Sequence, residues 1–184
     1  FSDIWVHDSR ALGLGHTRLS IIDLSQNANQ PMKSRNGNVI VFNGEIYNFD
    51  DLKDDLKKTF NFKSKSDTEV ILAGYEKWGI DVFNKLNGMF AFVLWDENKK
   101  KLFCVRDRFG IKPFFYSIIN NCFYFASEAK SLLPFLQKIE TNNKKLLEYL
   151  VYQFNTGSET LFSRIHQLEP GKFLEIDKSL KTNY

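Results

Sequence analysis

Residues 41–52 read VFNGEIYNFDDL, a short apolar run that meets an Asn-Gly pair before a helix-like segment. Asn-Gly ordinarily closes a tight hairpin, because both residues tolerate positive φ. No matching strand follows Asn43-Gly44, so the pair requires another explanation. Residues 39–42 (VIVF) form a buried strand ending at Asn43, and Asn48 is expected to cap a helix running to about Lys57, with Phe49, Leu52 and Leu56 on one face.

Outward from that point the pattern is regular. ALGLGHTRLSIIDLS (11–25) reads as a strand with irregular edges, and 26–38 as a loop holding Pro31 and an Asn36-Gly37-Asn38 turn. In SDTEVILAGYEKW, Ser66 and Glu69 make a capping box before a helix that aligns Val70, Ile71, Tyr75 and Trp78. GMFAFVLWD (88–96) is continuously apolar, as a strand covered on both faces must be. KLFCVRD, PFFYSII and CFYFAS continue as an antiparallel meander. A helix over 144–154, a turn at Glu169-Pro170-Gly171 and a strand KFLEI close the chain. Helices grouped outside an antiparallel strand set imply an α+β layered domain.

Composition narrows the function classes. The chain has 184 residues, of which 43% are hydrophobic and 26% charged, enough for a buried core. Eighteen Phe, seven Tyr and three Trp favour a sheet-rich interior. A net charge of +3 without a basic, aromatic-interleaved stripe argues against nucleic acid. No apolar run is long enough to span a membrane, and none reads as a signal peptide. The two cysteines, Cys104 and Cys122, sit in apolar runs and are expected to be reduced, buried and cytosolic, without a zinc or disulfide framework.

Four polar clusters carry potential chemistry. Asn43-Gly44-Glu45 sets a side-chain amide beside a glycine N–H, which suits an oxyanion hole or an ordinary turn. Arg18 among apolar residues requires an anionic partner, either a substrate carboxylate in a bidentate clamp or a structural ion pair. His16 is a candidate base or a hydrogen-bonded strand-end residue. Asp67, in the first turn of its helix, is stabilised by the dipole and is equally able to hold an ammonium group. Arg106-Asp107-Arg108 reads mainly as a structural ion-pair network. Arg18, Asp67 and Asn43/Gly44 together suit a polar amino acid.

Seven stretches in order carry a resemblance: GHTRLSIIDLS…QPM, VFNGEIYN, SDTEVILAGYEKWG, LNGMFAFVLWD, RDRFGIKPFFY, FASEAKSLL and TLFSRIHQLEPGKF. Spanning about residues 13–176, they resemble the class II glutamine amidotransferase domain of the glutamine-hydrolysing asparagine synthetase family. The resemblance implies a four-layer αββα sandwich of two antiparallel sheets, the N-terminal-nucleophile hydrolase fold. It makes 1–184 one glutaminase domain, with a core over about 1–135 and 136–184 leading toward a synthetase domain. It assigns the oxyanion hole to Asn43 and Gly44, the glutamine α-carboxylate to Arg18 and the α-ammonium to Asp67, with Leu19, Ser20, Ile21, Ile22 and Glu45 lining the same pocket. No metal is implied here; ATP and Mg2+ belong to the synthetase domain. The family's nucleophile is an N-terminal cysteine whose own α-amine is the base. Residue 1 is Phe, Ser2 falls after that region, and both cysteines lie mid-chain, so the expectation is an N-terminally incomplete, cytoplasmic domain, inactive alone. The default acceptor is aspartate. The alternatives are a non-catalytic ligand-binding module and a sister amidotransferase with another acceptor. An open sheet edge at residue 1 makes a homodimer conceivable.

Overall fold

A computed structural model describes residues 2–9, 11–18 and 23–180 with their side chains, and the backbone of 182–183. The elements in order are β1 (Ser2–Val6), β2 (Gly13–Thr17), β3 (Met32–Lys33), β4 (Val39–Ile46), α1 (Phe49–Leu56), α2 (Asp67–Trp78), α3 (Val82–Lys85), β5 (Gly88–Asp96), β6 (Lys101–Arg106), β7 (Phe115–Ile119), β8 (Cys122–Ala126), α4 (Asn143–Tyr152), β9 (His166–Gln167), β10 (Phe173–Ile176) and β11 (Thr182–Asn183). The central sheet is ordered β11-β10-β6-β5-β4-β3, and each described pairing is antiparallel.

Strand alternation divides the apolar residues of this sheet between two cores. Ile40, Phe42, Phe90, Phe92, Leu94, Phe103 and Val105 face α1, α2 and α3, with Leu52, Leu56, Val70, Ile71, Tyr75 and Phe83 packed against them. Val39, Val41, Ala91, Val93, Trp95, Leu102, Cys104 and Leu174 face the other way. They meet Leu14 of β2 and Phe114, Tyr116, Phe123 and Phe125 of the β7–β8 region. That second sheet layer comes in two pieces, β1-β2 and β8-β7-β9. On its far side a 3₁₀ segment, Ala129–Phe135, stacks Phe135 on Tyr124 with ring centroids 4.4 Å apart. The order is therefore helix, sheet, sheet, helix, an α+β sandwich.

Several local expectations change. The strand does not end at Asn43: β4 runs through Ile46, and Asn43, Gly44 and Glu45 pair with Ala91, Phe90 and Met89. The Asn-Gly pair lies inside a ladder, not in a turn. Asn48 does not cap α1; its side chain donates to the Lys85 carbonyl at 3.0 Å and accepts from Asn87 N–H at 2.9 Å, stapling that corner to the approach of β5. Ser66 does cap α2, accepting from Thr68 N–H at 3.2 Å. Glu69 does not complete the box: it turns back to the amides of Lys63 and Ser64 and the Ser64 hydroxyl. Cys122 is exposed, because it directly follows the left-handed Asn120-Asn121 turn at the tip of the β7–β8 hairpin. The meander divides between sheets at the loop after β6.

That loop is held by Asp107, which has no exposed surface. Its carboxylate accepts from the amides of Phe90, Phe109, Ile111 and Lys112 at 3.0–3.1 Å. Arg106 and Arg108 form no ion pair among the described residues. Arg106 donates to the carbonyls of Gly110, Lys112 and Leu168, and Arg108 to those of Asn84 and Leu86. The expected ion-pair network is instead a set of charged groups satisfying loop backbone, because a chain crossing between sheets has no ladder to do so. Burial raises the Asp107 pKa, but the converging amides outweigh it and hold the carboxyl below the usual range. The stability it confers is thus present at neutral pH and lost as pH falls through that lowered native value. Asp107→Ala is expected to cost about 3 kcal/mol by leaving buried amides unpaired, measured as a lowered urea midpoint. Asp107→Asn should flatten the acid limb of the stability profile.

Candidate active site

β3 pairs only with Val39 and Ile40, so beyond Ile40 strand β4 has a neighbour on its β5 side alone. Backbone groups on the other edge must find partners elsewhere. Phe42 N–H donates to Gln30 Oε1 at 2.6 Å, His16 Nε2 donates to the Phe42 carbonyl at 3.1 Å, and Ile46 N–H donates to Asp67 Oδ2 at 3.0 Å. Successive residues of a strand turn their N–H groups to opposite edges, so the Gly44 N–H shares this edge with those of Phe42 and Ile46. It sits between two amides already held by side chains.

Gly44 is the only residue type this position accepts. Its φ is +151°, and a Cβ built there would lie 2.1 Å from the Met89 carbonyl oxygen and 2.7 Å from Phe90 Cα. Asn43 follows Val39 and Val41 onto the face turned to the second sheet layer. Both open on a cavity of about 230 Å³ whose lining includes Arg18, Glu45 and Asp67, with His16, Gln30, Thr68, Met89 and Lys112.

Arg18 leaves the end of β2 and is held by the loop after it, donating to the carbonyls of Asp23 and of Ser25 (3.1 Å) and to Asn29 Oδ1 (2.8 Å). Among the described residues neutral groups hold it, and it forms no ion pair. Asp23 spends its carboxylate on the amides of Lys65 and Ser25, which keep its pKa low. Burial lowers the pKa of the His16 ring, and its Nδ1 has no partner among the described residues. With Nε2 donating to Phe42, His16 is the hydrogen-bonded strand-end residue and not a free base. Asp67 begins α2 and is 4% exposed. Burial raises its pKa, the amides of Ile46 and Thr68 and the Ser66 hydroxyl oppose this, and the Glu45 charge adds to the rise. A desolvated carboxylate of this kind gains most from a cationic ligand.

The structure thus gathers Arg18, Asn43, Gly44, Glu45 and Asp67 around one cavity. Leu19, Ser20, Ile21 and Ile22 lie outside the described residues. Sequence reasoning passed over Gln30, Thr68 and Lys112; Gln30 and Lys112 stood in the quoted QPM and RDRFGIKPF stretches, but only as marks of resemblance. Among the described residues no group of three or more His, Cys, Asp or Glu is placed to hold a metal, and no helix is long and apolar enough to cross a membrane.

The fold and cavity define a layered α+β domain whose cavity is lined by an arginine, a buried carboxylate and the Asn43–Gly44 pair. Residues 1–184 match the glutamine amidotransferase domain family, and the chain belongs to it. It is 43% identical over 172 residues to asparagine synthetase [glutamine-hydrolyzing] 1 of Bacillus subtilis, covering 92% of this chain and 27% of that protein. To amidase chry2 of Gibberella zeae it is 39% identical, covering 92% of this chain and 25% of that one. The chain spans about a quarter of the length of these relatives. Among solved structures it superposes on glutamine phosphoribosylpyrophosphate amidotransferase from B. subtilis with a TM-score of 0.65 at 20% identity, covering 93% of this chain and 34% of that one. The likeness is one of fold, the layered α+β sandwich.

A ligand ammonium on Asp67 requires the ionised carboxylate. Because that pKa is raised, affinity for a zwitterionic amino acid should fall as pH drops at values above those of an ordinary Asp. Glutamine titration calorimetry across pH 4–7 checks this, with Glu45→Gln expected to move the fall to lower pH.

Proposed function

We propose that this domain binds L-glutamine and hydrolyses its side-chain amide to glutamate and ammonia. The observation that carries the reading is the convergence of Arg18, Asp67 and the Asn43–Gly44 donors on one cavity. Arg18 takes the α-carboxylate and Asp67 the α-ammonium, which leaves the side-chain amide directed to β4. A cysteine thiolate adds to the amide carbon, and the carbonyl oxygen takes up negative charge between Asn43 Nδ2–H and Gly44 N–H. Collapse of this adduct, with a proton delivered to the leaving nitrogen by the nucleophile's own α-ammonium, expels ammonia and leaves a thioester. Water, deprotonated by the same amine, then releases glutamate and the thiol.

Neither cysteine of this chain fills the nucleophile's place. Cys104 is buried in β6 with its thiol pushed well up by burial, and Cys122 stands at a hairpin tip and does not line the cavity. The thiolate is therefore assigned to an N-terminal cysteine outside residues 1–184. In the intact protein we assign the ammonia to a synthetase domain that activates an acceptor carboxylate with ATP and Mg2+, aspartate being the default. The two named relatives are an asparagine synthetase and an amidase, and we assign the choice of acceptor to that other domain. No residue of this chain is assigned to ATP or magnesium.

The test is ammonia release by the full-length protein beside its Asn43→Ala variant. Loss of one oxyanion donor is expected to lower kcat by about 10²–10³-fold with little change in KM. Glutamine binding without hydrolysis would make the domain a ligand-binding module and overturn the reading.

A further inference from the structure

The open edge of β4 is gripped at one residue from both directions. The side chain of Gln30 accepts the Phe42 N–H, and the ring of His16 donates to the Phe42 carbonyl. These are the two bonds a neighbouring strand would supply, and β3 has ended by this point. The grip extends further on the same side. Gln30 Nε2 reaches Thr68 Oγ1 at 3.4 Å, and Thr68 N–H bonds Asp67 Oδ1 at 2.9 Å, while Asp67 Oδ2 takes the Ile46 N–H. A continuous chain of side chains thus brackets Gly44 at Phe42 and Ile46.

We propose that His16 and Gln30 are positioning residues for the oxyanion donors, replacing a strand neighbour so that Phe42 is held and the Asn43–Gly44 unit is fixed in register. This rests on the amidase reading above. Three observations support it. Gln30 is 6% exposed and spends both ends of its amide on this task. A glutamine is suited to it, because it accepts from the strand and donates to α2 at once. His16 directs its one donor to Phe42 while its Nδ1 stays buried and unpartnered among the described residues. A buried unpaired nitrogen is costly, and such costs persist where function over-determines the geometry. Finally, the β5 side of Gly44 is closely packed, since a Cβ there would lie 2.1 Å from the Met89 carbonyl oxygen and 2.7 Å from Phe90 Cα. Only the open side allows displacement, and that is the side the clamp closes.

The test combines two readouts in the full-length protein. Gln30→Leu removes the acceptor; Gln30→Glu keeps an acceptor for Phe42 N–H. Likewise His16→Leu removes the donor and His16→Gln supplies one. Misplaced donors should lower kcat about 10–100-fold in the leucine variants while KM, set by Arg18 and Asp67, moves less than about threefold. The conservative variants should recover at least part of that loss. In an Asn43→Ala background the Gln30→Leu change should cost less than in the wild type, since the two act through one interaction. Amide hydrogen exchange gives the independent readout. The Phe42 amide should exchange at least about tenfold faster in Gln30→Leu, and less so in Gln30→Glu, as expected when a local bond is opened. A Gln30→Leu protein with unchanged kcat, or with additive losses and an unchanged Phe42 exchange rate, overturns the proposal. If the wild type itself releases no ammonia, the amidase reading fails, and the exchange rates of Phe42 and Gly44 then decide the clamp alone.

Discussion

An unpaired strand edge organises this molecule. β4 is the second strand from one end of the six-stranded sheet, and β3 covers only its first two residues. Exposed strand edges are costly when buried and hazardous when not. Here the loop after β2, the Gln30 side chain and the N-terminus of α2 all come to that edge. Between Phe42 and Ile46, whose amides are held by side chains, Gly44 faces a polar cavity. The site is thus the remainder of an incomplete ladder.

The helices serve the same edge. Ser66 starts α2, and that start delivers Asp67 and Thr68 to β4. The Asp67 carboxylate satisfies the amides of Ile46 and Thr68 while buried, a setting in which a cationic group would offset its desolvation. Burial raises its pKa, and those amides only partly oppose the rise. Arg18 is arranged oppositely: among the described residues it is held by carbonyls and an amide oxygen and forms no ion pair. The cavity therefore keeps one site of each sign, the pattern a zwitterion needs.

Behind the site, Asp107 binds the amide of Phe90, the residue facing Gly44, to the loop that carries Lys112 to the cavity. The carboxylate joins the strand that presses on the glycine to the crossing between sheets. Packing adds the rest: Phe83, Phe92, Phe103 and Phe173 meet edge to face under β5 with centroids 5.5–5.9 Å apart, fixing the ladder from the helix side.

Much of the architecture was legible along the chain. GMFAFVLWD announces a strand buried on both faces because burial removes every polar alternation, and Ser66 announces a helix start because a hydroxyl must take up an orphan amide. Asn43, Gly44, Arg18 and Asp67 were chosen by their chemistry, since a charge or a paired donor in an apolar setting calls for a partner. What the chain could not disclose is long-range. Asn-Gly reads as a turn, and only the approach of Met89 and Phe90 shows a glycine needed inside a strand. Gln30 acts on residues 12 and 38 positions away, and no local pattern encodes that. The sequence by itself determined which elements form and which side chains carry charge and donors, because those follow from local propensity and burial. Tertiary structure alone decided where β3 stops, and therefore which stretch of β4 lies beyond it and meets side chains instead, because hydrogen-bond satisfaction is settled between strands and not along them.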